Sequence, residues 1–160
     1  VEGARAHYDS KERCVFCDVV HQEMTAGVRV IEENADMIAL APYAPRFPFE
    51  TWLLPRRHAA RFEDAPQHEY ESLARVLKLV LARIDRALES PAYNLIVHSA
   101  PFNDGDGVNG ATHSVADVYH WHVEILPKLA RTAGFEWGTG FYINPTSPEE
   151  ATRVLRTVKI

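Results

Sequence analysis

Residues 119–125 read Tyr-His-Trp-His-Val-Glu-Ile, and the reading of this run decides the fold. In an extended chain successive side chains point to opposite faces. His120, His122 and Glu124 therefore share one face, and Tyr119, Trp121, Val123 and Ile125 share the other. The second set is apolar enough to pack on a core. The first is a row of groups suited to binding metals, moving protons or attacking electrophiles.

Outward from this strand the chain alternates between β-prone and helical segments. Runs at 28–32 and 37–41, separated by Glu33, Asn34, Ala35 and Asp36, resemble a hairpin, and 49–54 is a third run closed by Pro55. Asp64-Ala-Pro66 introduces a long amphipathic helix in which Tyr70, Leu73, Leu77, Val80, Leu81, Ile84 and Leu88 recur at helical spacing, ended by Ser90-Pro91. Residues 93–98 read as a central strand, 118–126 as the strand of the opening run, and 141–143 as a last short strand. Ser147-Pro-Glu-Glu150 is a capping box with proline at the first helical position, opening a helix to about residue 156. Residues 100–116 form a long loop, read as a mobile insertion with His113 solvated. Its Asp104-Gly-Asp-Gly107 run invites a calcium reading, but Val108 and Val115 stand at the fifth and twelfth positions, where ligands are required.

With 160 residues, 46% of them hydrophobic, and no low-complexity tract, the chain suits one globular domain. A formal charge of -5 with 17 scattered Lys and Arg argues against a nucleic-acid partner. No apolar run approaches the roughly 18 residues that span a bilayer, and no charged-then-apolar leader opens the chain, so a soluble cytoplasmic protein is expected. Residues 1–12 read as a polar extension and 13–160 as the domain. The start on Val1 suggests a processed product or a piece of a longer chain.

The only two cysteines are Cys14 and Cys17. In a cytoplasmic chain this spacing points to a metal site or a redox pair rather than a structural disulfide. A redox pair usually opens a helix after a strand, whereas this one precedes the first recognisable strand, so zinc fits better. A tetrahedral site then needs two histidines. Of the eight present, His68 falls on the exposed side of the long helix, and His7 and His21 lie in polar flanks without companions. His58, His98, His120 and His122 remain.

Five motifs in order now carry a resemblance: Arg13-Cys-Val-Phe-Cys17; the run from Pro42 to His58 containing Phe-Pro-Phe-Glu50-Thr-Trp; Asn94-Leu-Ile-Val-His98-Ser-Ala-Pro-Phe102; Tyr119-His-Trp-His-Val-Glu124; and Ala133-Gly-Phe-Glu-Trp-Gly-Thr-Gly-Phe-Tyr-Ile-Asn-Pro145. Together they resemble the C-terminal half of galactose-1-phosphate uridylyltransferases and their nucleotide-sugar phosphorylase relatives, within the histidine-triad superfamily. The resemblance implies an α+β fold with a histidine-triad-like antiparallel sheet flanked by helices. It also implies a homodimer, and a zinc ion on Cys14, Cys17, His58 and His120. His122 stands where the superfamily places its nucleophile, but Glu124 replaces the histidine or glutamine that donates toward a phosphoryl oxygen. That counts against His122 as a nucleophile here. The alternatives for this face are a second divalent metal on His98, His122 and Glu124, or a buried hydrogen-bonded pair.

Gly134, Phe135 and Glu136 match the family's sugar-recognition segment, which reaches into the neighbouring subunit. Trp52, Trp121 and Trp137 read as core or interface residues. The family's His-Pro-His strand is absent, so the resemblance implies the C-terminal half of a nucleotidyltransferase acting on hexose 1-phosphates and nucleotide sugars, paired with an N-terminal catalytic half or a second copy. Two other readings are a free-standing hydrolase or phosphorylase using His122, and a zinc-stabilised binding module without chemistry.

Overall fold

The computed structural model describes residues 2–102, 113–129 and 133–160. The first hairpin joins β1, Val30–Glu33, to β2, Met37–Leu40. Asn34 makes the turn, its Oδ1 accepting from the N–H of Asp36 at 3.0 Å and of Met37 at 2.9 Å. β3, Thr51–Pro55, follows as expected. The remaining strands are β4, Tyr93–His98, and β5, His122–Pro127. All pairings are antiparallel, in the order β1-β2-β3-β5-β4.

The helices α1, Glu2–Lys11, α2, Val15–Ala26, α3, Gln67–Ala87, α4, Val115–Val118, α5, Gly134–Thr139, and α6, Pro148–Thr157, complete the α+β fold. α3 is the long amphipathic helix read from the sequence. Its Leu73, Val76, Val80 and Ile84, with Leu155 of α6, pack on Met37, Leu53, Trp121, Val123 and Ile125. Glu89 and Ser90 then take left-handed φ of 57° and 59° ahead of Pro91, which stops the helix. On the opposite sheet face α2 sets Val20 against Val30, Ile38, Leu40 and Leu54. Most of this helix covers the β1–β3 side, with Phe16 at its start reaching the His122 ring of β5. Beyond it the same face carries the cross-strand pairs Trp52 with Glu124 and His98 with His122.

Several expectations change. The stretch read as a polar extension carries a helix the sequence did not suggest, α1, with Ala4 buried. β4 is an edge strand rather than a central one, and Leu95, Ile96 and Val97 are exposed. Their apolar character, read as a central strand, belongs instead to an open sheet edge. The opening run is extended only from His122, because α4 occupies 115–118 and Tyr119 turns toward the His122 ring at 6.3 Å rather than into the core. Residues 141–143 join no strand. Ser147 caps α6 by accepting from the Glu150 N–H at 3.2 Å, but the Glu150 carboxylate turns to Arg153 at 2.8 Å, so the capping box is half made. His113 is half-buried rather than solvated, its ring 4.5 Å from that of Tyr8. The calcium-like run at 104–107 lies outside the described residues. Among the described residues no helix is long and apolar enough to cross a membrane.

Candidate functional site

Four side chains from three parts of the chain meet at the start of α2. Cys14 is the residue before the helix and Cys17 lies in its first turn, so both sulfurs gather at the helix N-terminus. The pair does open a helix, as redox pairs do, but that helix follows α1 rather than a strand. His58 follows β3, next to Arg57, whose guanidinium engages the buried Glu69 carboxylate of α3 and ties this loop down. His120 is fully buried just ahead of β5. One ligand atom from each of Cys14, Cys17, His58 and His120 lies within 4.8 Å of all the others.

Hydrogen bonding fixes both rings. His58 Nε2 donates to the Ala116 carbonyl at 2.8 Å and His120 Nε2 donates to the Pro55 carbonyl at 2.9 Å. A carbonyl only accepts, so both protons sit on Nε2 and each Nδ1 turns a lone pair toward the sulfurs. Cys17 Sγ lies 3.3 Å from His58 Nδ1 and 3.5 Å from His120 Nδ1. A tetrahedral zinc with bonds of about 2.3 Å to sulfur and about 2.0 Å to nitrogen separates such ligands by about 3.5 Å. The donor set fits zinc in type, number and spacing, and the carbonyl-anchored imidazoles match the way metal-binding histidines are oriented. The hydrogen bond between the sulfurs holds the Cys14 thiol far below its ordinary range and, with burial, pushes Cys17 up. A divalent cation held by both sulfurs would need them as thiolates, so its binding would release protons.

His122 occupies the neighbouring surface. Its ring stacks on His98 at 4.7 Å and lies 4.9 Å from Phe16 and 5.5 Å from Trp52. Nδ1 donates to the His120 carbonyl at 2.9 Å, which leaves the lone pair on Nε2. Burial pushes the imidazole down to about 4, so the ring is neutral near neutral pH. Glu124 is engaged at both oxygens, by His98 Nε2 at 3.0 Å and Trp52 Nε1 at 3.2 Å. His98 and Glu124 thus meet as a hydrogen-bonded pair with His122 stacked alongside.

Glu50 belongs to this network and was missed by the sequence reading. Its carboxylate is buried, accepting from Trp52 Nε1 at 3.0 Å and from the N–H groups of Arg46 and Phe47 at 2.7 and 3.2 Å. Burial pushes its carboxyl up. For Glu124 the burial effect is outweighed by the hydrogen bonds from His98, Glu50 and Trp52, which hold it below the usual range. The signal lay in the two-residue period: Glu50, Trp52 and Leu54 alternate along one strand face as His122 and Glu124 do along the next.

The family described as galactose-1-phosphate uridyl transferase, C-terminal domain, matches residues 3–157. The chain belongs to the galactose-1-phosphate uridylyltransferase family. It is similar to the galactose-1-phosphate uridylyltransferase of Thermotoga maritima, 34% identical over 163 residues, covering 98% of this chain and 48% of that protein. It is also similar to the ADP-glucose phosphorylase of Arabidopsis thaliana, 31% identical over 160 residues, covering all of this chain and 42% of that protein. A crystal structure of an ADP-glucose phosphorylase from that plant with bound ADP-glucose superposes with a TM-score of 0.83 over 99% of this chain and 47% of that one, at 31% identity. A zinc-bound histidine-triad protein from Mycobacterium smegmatis shares the fold, with a TM-score of 0.55 at 24% identity over 89% of this chain and 90% of that one. The chain thus spans just under half the length of its uridylyltransferase and phosphorylase relatives.

The segment of this uridylyltransferase-family chain matched to sugar recognition forms α5. Glu136 caps its own helix, its Oε2 accepting from the Ala133 N–H at 2.9 Å. Phe135, Trp137 and Phe141 stand exposed, Trp137 by 80%, so this tryptophan is not a core residue, whereas Trp121 is. The segment rests on the loop before β3, with Tyr142 5.3 Å from Phe47 and Asn144 donating to the Pro45 carbonyl at 3.3 Å. His68 is exposed as expected, while His7 has a partner, Asp18 Oδ2 at 3.0 Å.

Proposed function

We propose that this chain is the C-terminal half of an enzyme transferring a nucleotidyl group between hexose 1-phosphates and nucleotide sugars, and that it contributes a zinc-braced frame, dimer contacts and sugar recognition. The observation that carries this reading is the placing of Glu124. Its carboxylate, pinned by His98 and Trp52, lies on the face that presents His122. A phosphate about 4 Å from it would be repelled by about 4 kcal/mol at an effective dielectric near 20. The nucleophile is therefore assigned to the absent half. The phosphorylase structure with ADP-glucose supports a nucleotide sugar as ligand.

Cys14, Cys17, His58 and His120 would hold the zinc. The ion supplies a structural cross-link between the start of α2, the loop after β3 and the approach to β5. Gly134, Phe135 and Glu136 are assigned to the sugar. A second divalent ion on His98, His122 and Glu124 would have to replace the His98–Glu124 hydrogen bond.

The neutral His122 ring, with a lone pair on Nε2, favours the second reading of a free-standing nucleotide hydrolase or phosphorylase. One experiment separates the readings. The purified chain is titrated with ADP-glucose and UDP-glucose, following thermal stability, and assayed for turnover beside His122→Asn. We expect saturable stabilisation of a few degrees without turnover in either protein. Turnover that disappears in His122→Asn would establish the second reading, and no stabilisation by either ligand would leave a zinc-braced module.

The open edge of β4 supports the dimer contacts. Tyr93, Leu95, Ile96 and Val97 are exposed beside main-chain groups that no described strand pairs. Such an edge recruits another strand. In the isolated chain that strand belongs to a second copy. Leu95 pairs with Ile125, on the face opposite Glu124, so its replacement spares the site. Leu95→Lys is expected to halve the mass measured by light scattering at micromolar concentration; an already monomeric wild type would refute the contact.

A further inference from the structure

α1 packs against both α2 and α4, and each of those helices serves the metal site. On the α2 side His7 Nε2 lies 3.0 Å from Asp18 Oδ2, and Asp18 is the residue after Cys17. On the α4 side three contacts converge on His113: its ring lies 4.5 Å from that of Tyr8, its carbonyl accepts from Arg5 Nη1 at 3.4 Å, and its Nε2 is 3.7 Å from Asp9 Oδ1. The Asp9 pair is solvent-exposed and adds little. The ring contact and the buried Ala4 make the grip.

His113 leads directly into α4. Ser114 caps that helix, its side chain accepting from the Asp117 N–H at 3.3 Å while the Asp117 carboxylate accepts from the Ser114 N–H at 3.1 Å. This single turn presents the Ala116 carbonyl that holds His58 Nε2 at 2.8 Å, and the Val118 carbonyl 3.6 Å from Cys14 Sγ. A four-residue helix is too short to hold its own position in water. Its place is set by what grips its ends: His113 at the start and buried Val115 and Val118 within.

The geometry points to α1 as a clasp on the metal site, with Tyr8 and His113 as positioning residues that fix the carbonyl orienting His58. This rests on the zinc reading of Cys14, Cys17, His58 and His120. α1 touches no ligand atom; it acts by joining the helix that carries Cys17 to the turn that orients His58. Loss of a partner that orients a metal-binding histidine weakens metal affinity by about 10- to 100-fold. Loss of the clasp is expected at the lower end of that range.

The test measures the zinc dissociation constant of the full chain by chelator competition, with cobalt(II) absorption as a second readout. The variants are Tyr8→Ala/Asp9→Ala, Tyr8→Phe and Arg83→Ala. Arg83 donates to the Ile31 carbonyl at 2.8 Å, linking α3 to β1 away from the site. The expected result is about 10-fold weaker zinc binding in the double variant, wild-type affinity in Tyr8→Phe, and no change in Arg83→Ala. The sulfur-to-cobalt absorption should persist, because all four ligands remain. Wild-type affinity in the double variant overturns the clasp, as does an equal loss in Arg83→Ala, which would mark general loosening. If the double variant fails to fold, His113→Asn removes the same ring contact from the α4 side and is judged by the same criteria. A wild-type chain that takes up no zinc overturns the metal reading and the clasp with it, and the wild-type titration alone reports that outcome.

Discussion

A Cys17→Ser chain is expected to bind zinc about 100-fold more weakly than wild type and to lose about 3 kcal/mol of metal-dependent stability. Structural zinc binding is worth about 10–16 kcal/mol over four ligands, so one ligand carries roughly a quarter of it. Cys17 is the sulfur in contact with both imidazoles, at 3.3 and 3.5 Å, so its loss removes the donor that completes the set. With zinc chelated away, variant and wild type should unfold at nearly the same urea concentration, because serine is close to cysteine in volume and the half-buried position is tolerant. With excess zinc the two curves separate. Zinc bound to the variant at full affinity would place the ion on the His98, His122 and Glu124 face instead.

The second large effect concerns Trp121, the residue between the two histidines. It is fully buried, with the Phe62 ring edge-on at 5.1 Å. Trp121→Ala should cost about 3–5 kcal/mol in urea unfolding. Trp121→Phe should cost much less, below about 1.5 kcal/mol, because Trp121 Nε1 is buried without a hydrogen-bond partner and phenylalanine removes that orphan donor along with part of the ring. An equal cost in both variants would mean that the indole N–H finds a partner, such as an ordered water. Since the Trp121 backbone N–H donates to the Ala59 carbonyl at 2.8 Å, the alanine variant tests the side chain alone and leaves the backbone beside His120 anchored.

The parts of the structure that were legible from residue order share a cause. Period-two and period-3.6 patterns report burial directly, so β1, β2, β3 and α3 fell where the apolar spacing put them. The demand for two cysteines and two histidines was legible because zinc selects such donors, but the choice of His58 and His120 among four candidates came from the family resemblance. β4 misled because an apolar strand reads the same whether its neighbour lies in this chain or in another. α1 was illegible because its residues are polar and its one buried contact, Ala4, is too small to leave a period. α4 was hidden for a different reason: its capping residues, Ser114 and Asp117, sit inside a glycine-rich stretch that reads as loop throughout. Glu50 and Trp52 were visible as a motif, but the hydrogen bond from Trp52 to Glu124 that ties them to the histidine strand depends on strand register, which a single sequence does not specify.

The carbonyl anchors on His58 and His120 bear on how fast the metal can arrive. The Ala116 and Pro55 carbonyls hold both rings with Nδ1 turned toward the sulfurs, so ring orientation is set by the main chain and does not rest on the metal. Uptake would then be governed by encounter and by loss of the thiol protons. In kinetic terms the site would be a socket rather than a folding nucleus: its occupancy would track the free zinc concentration while the sheet stays standing.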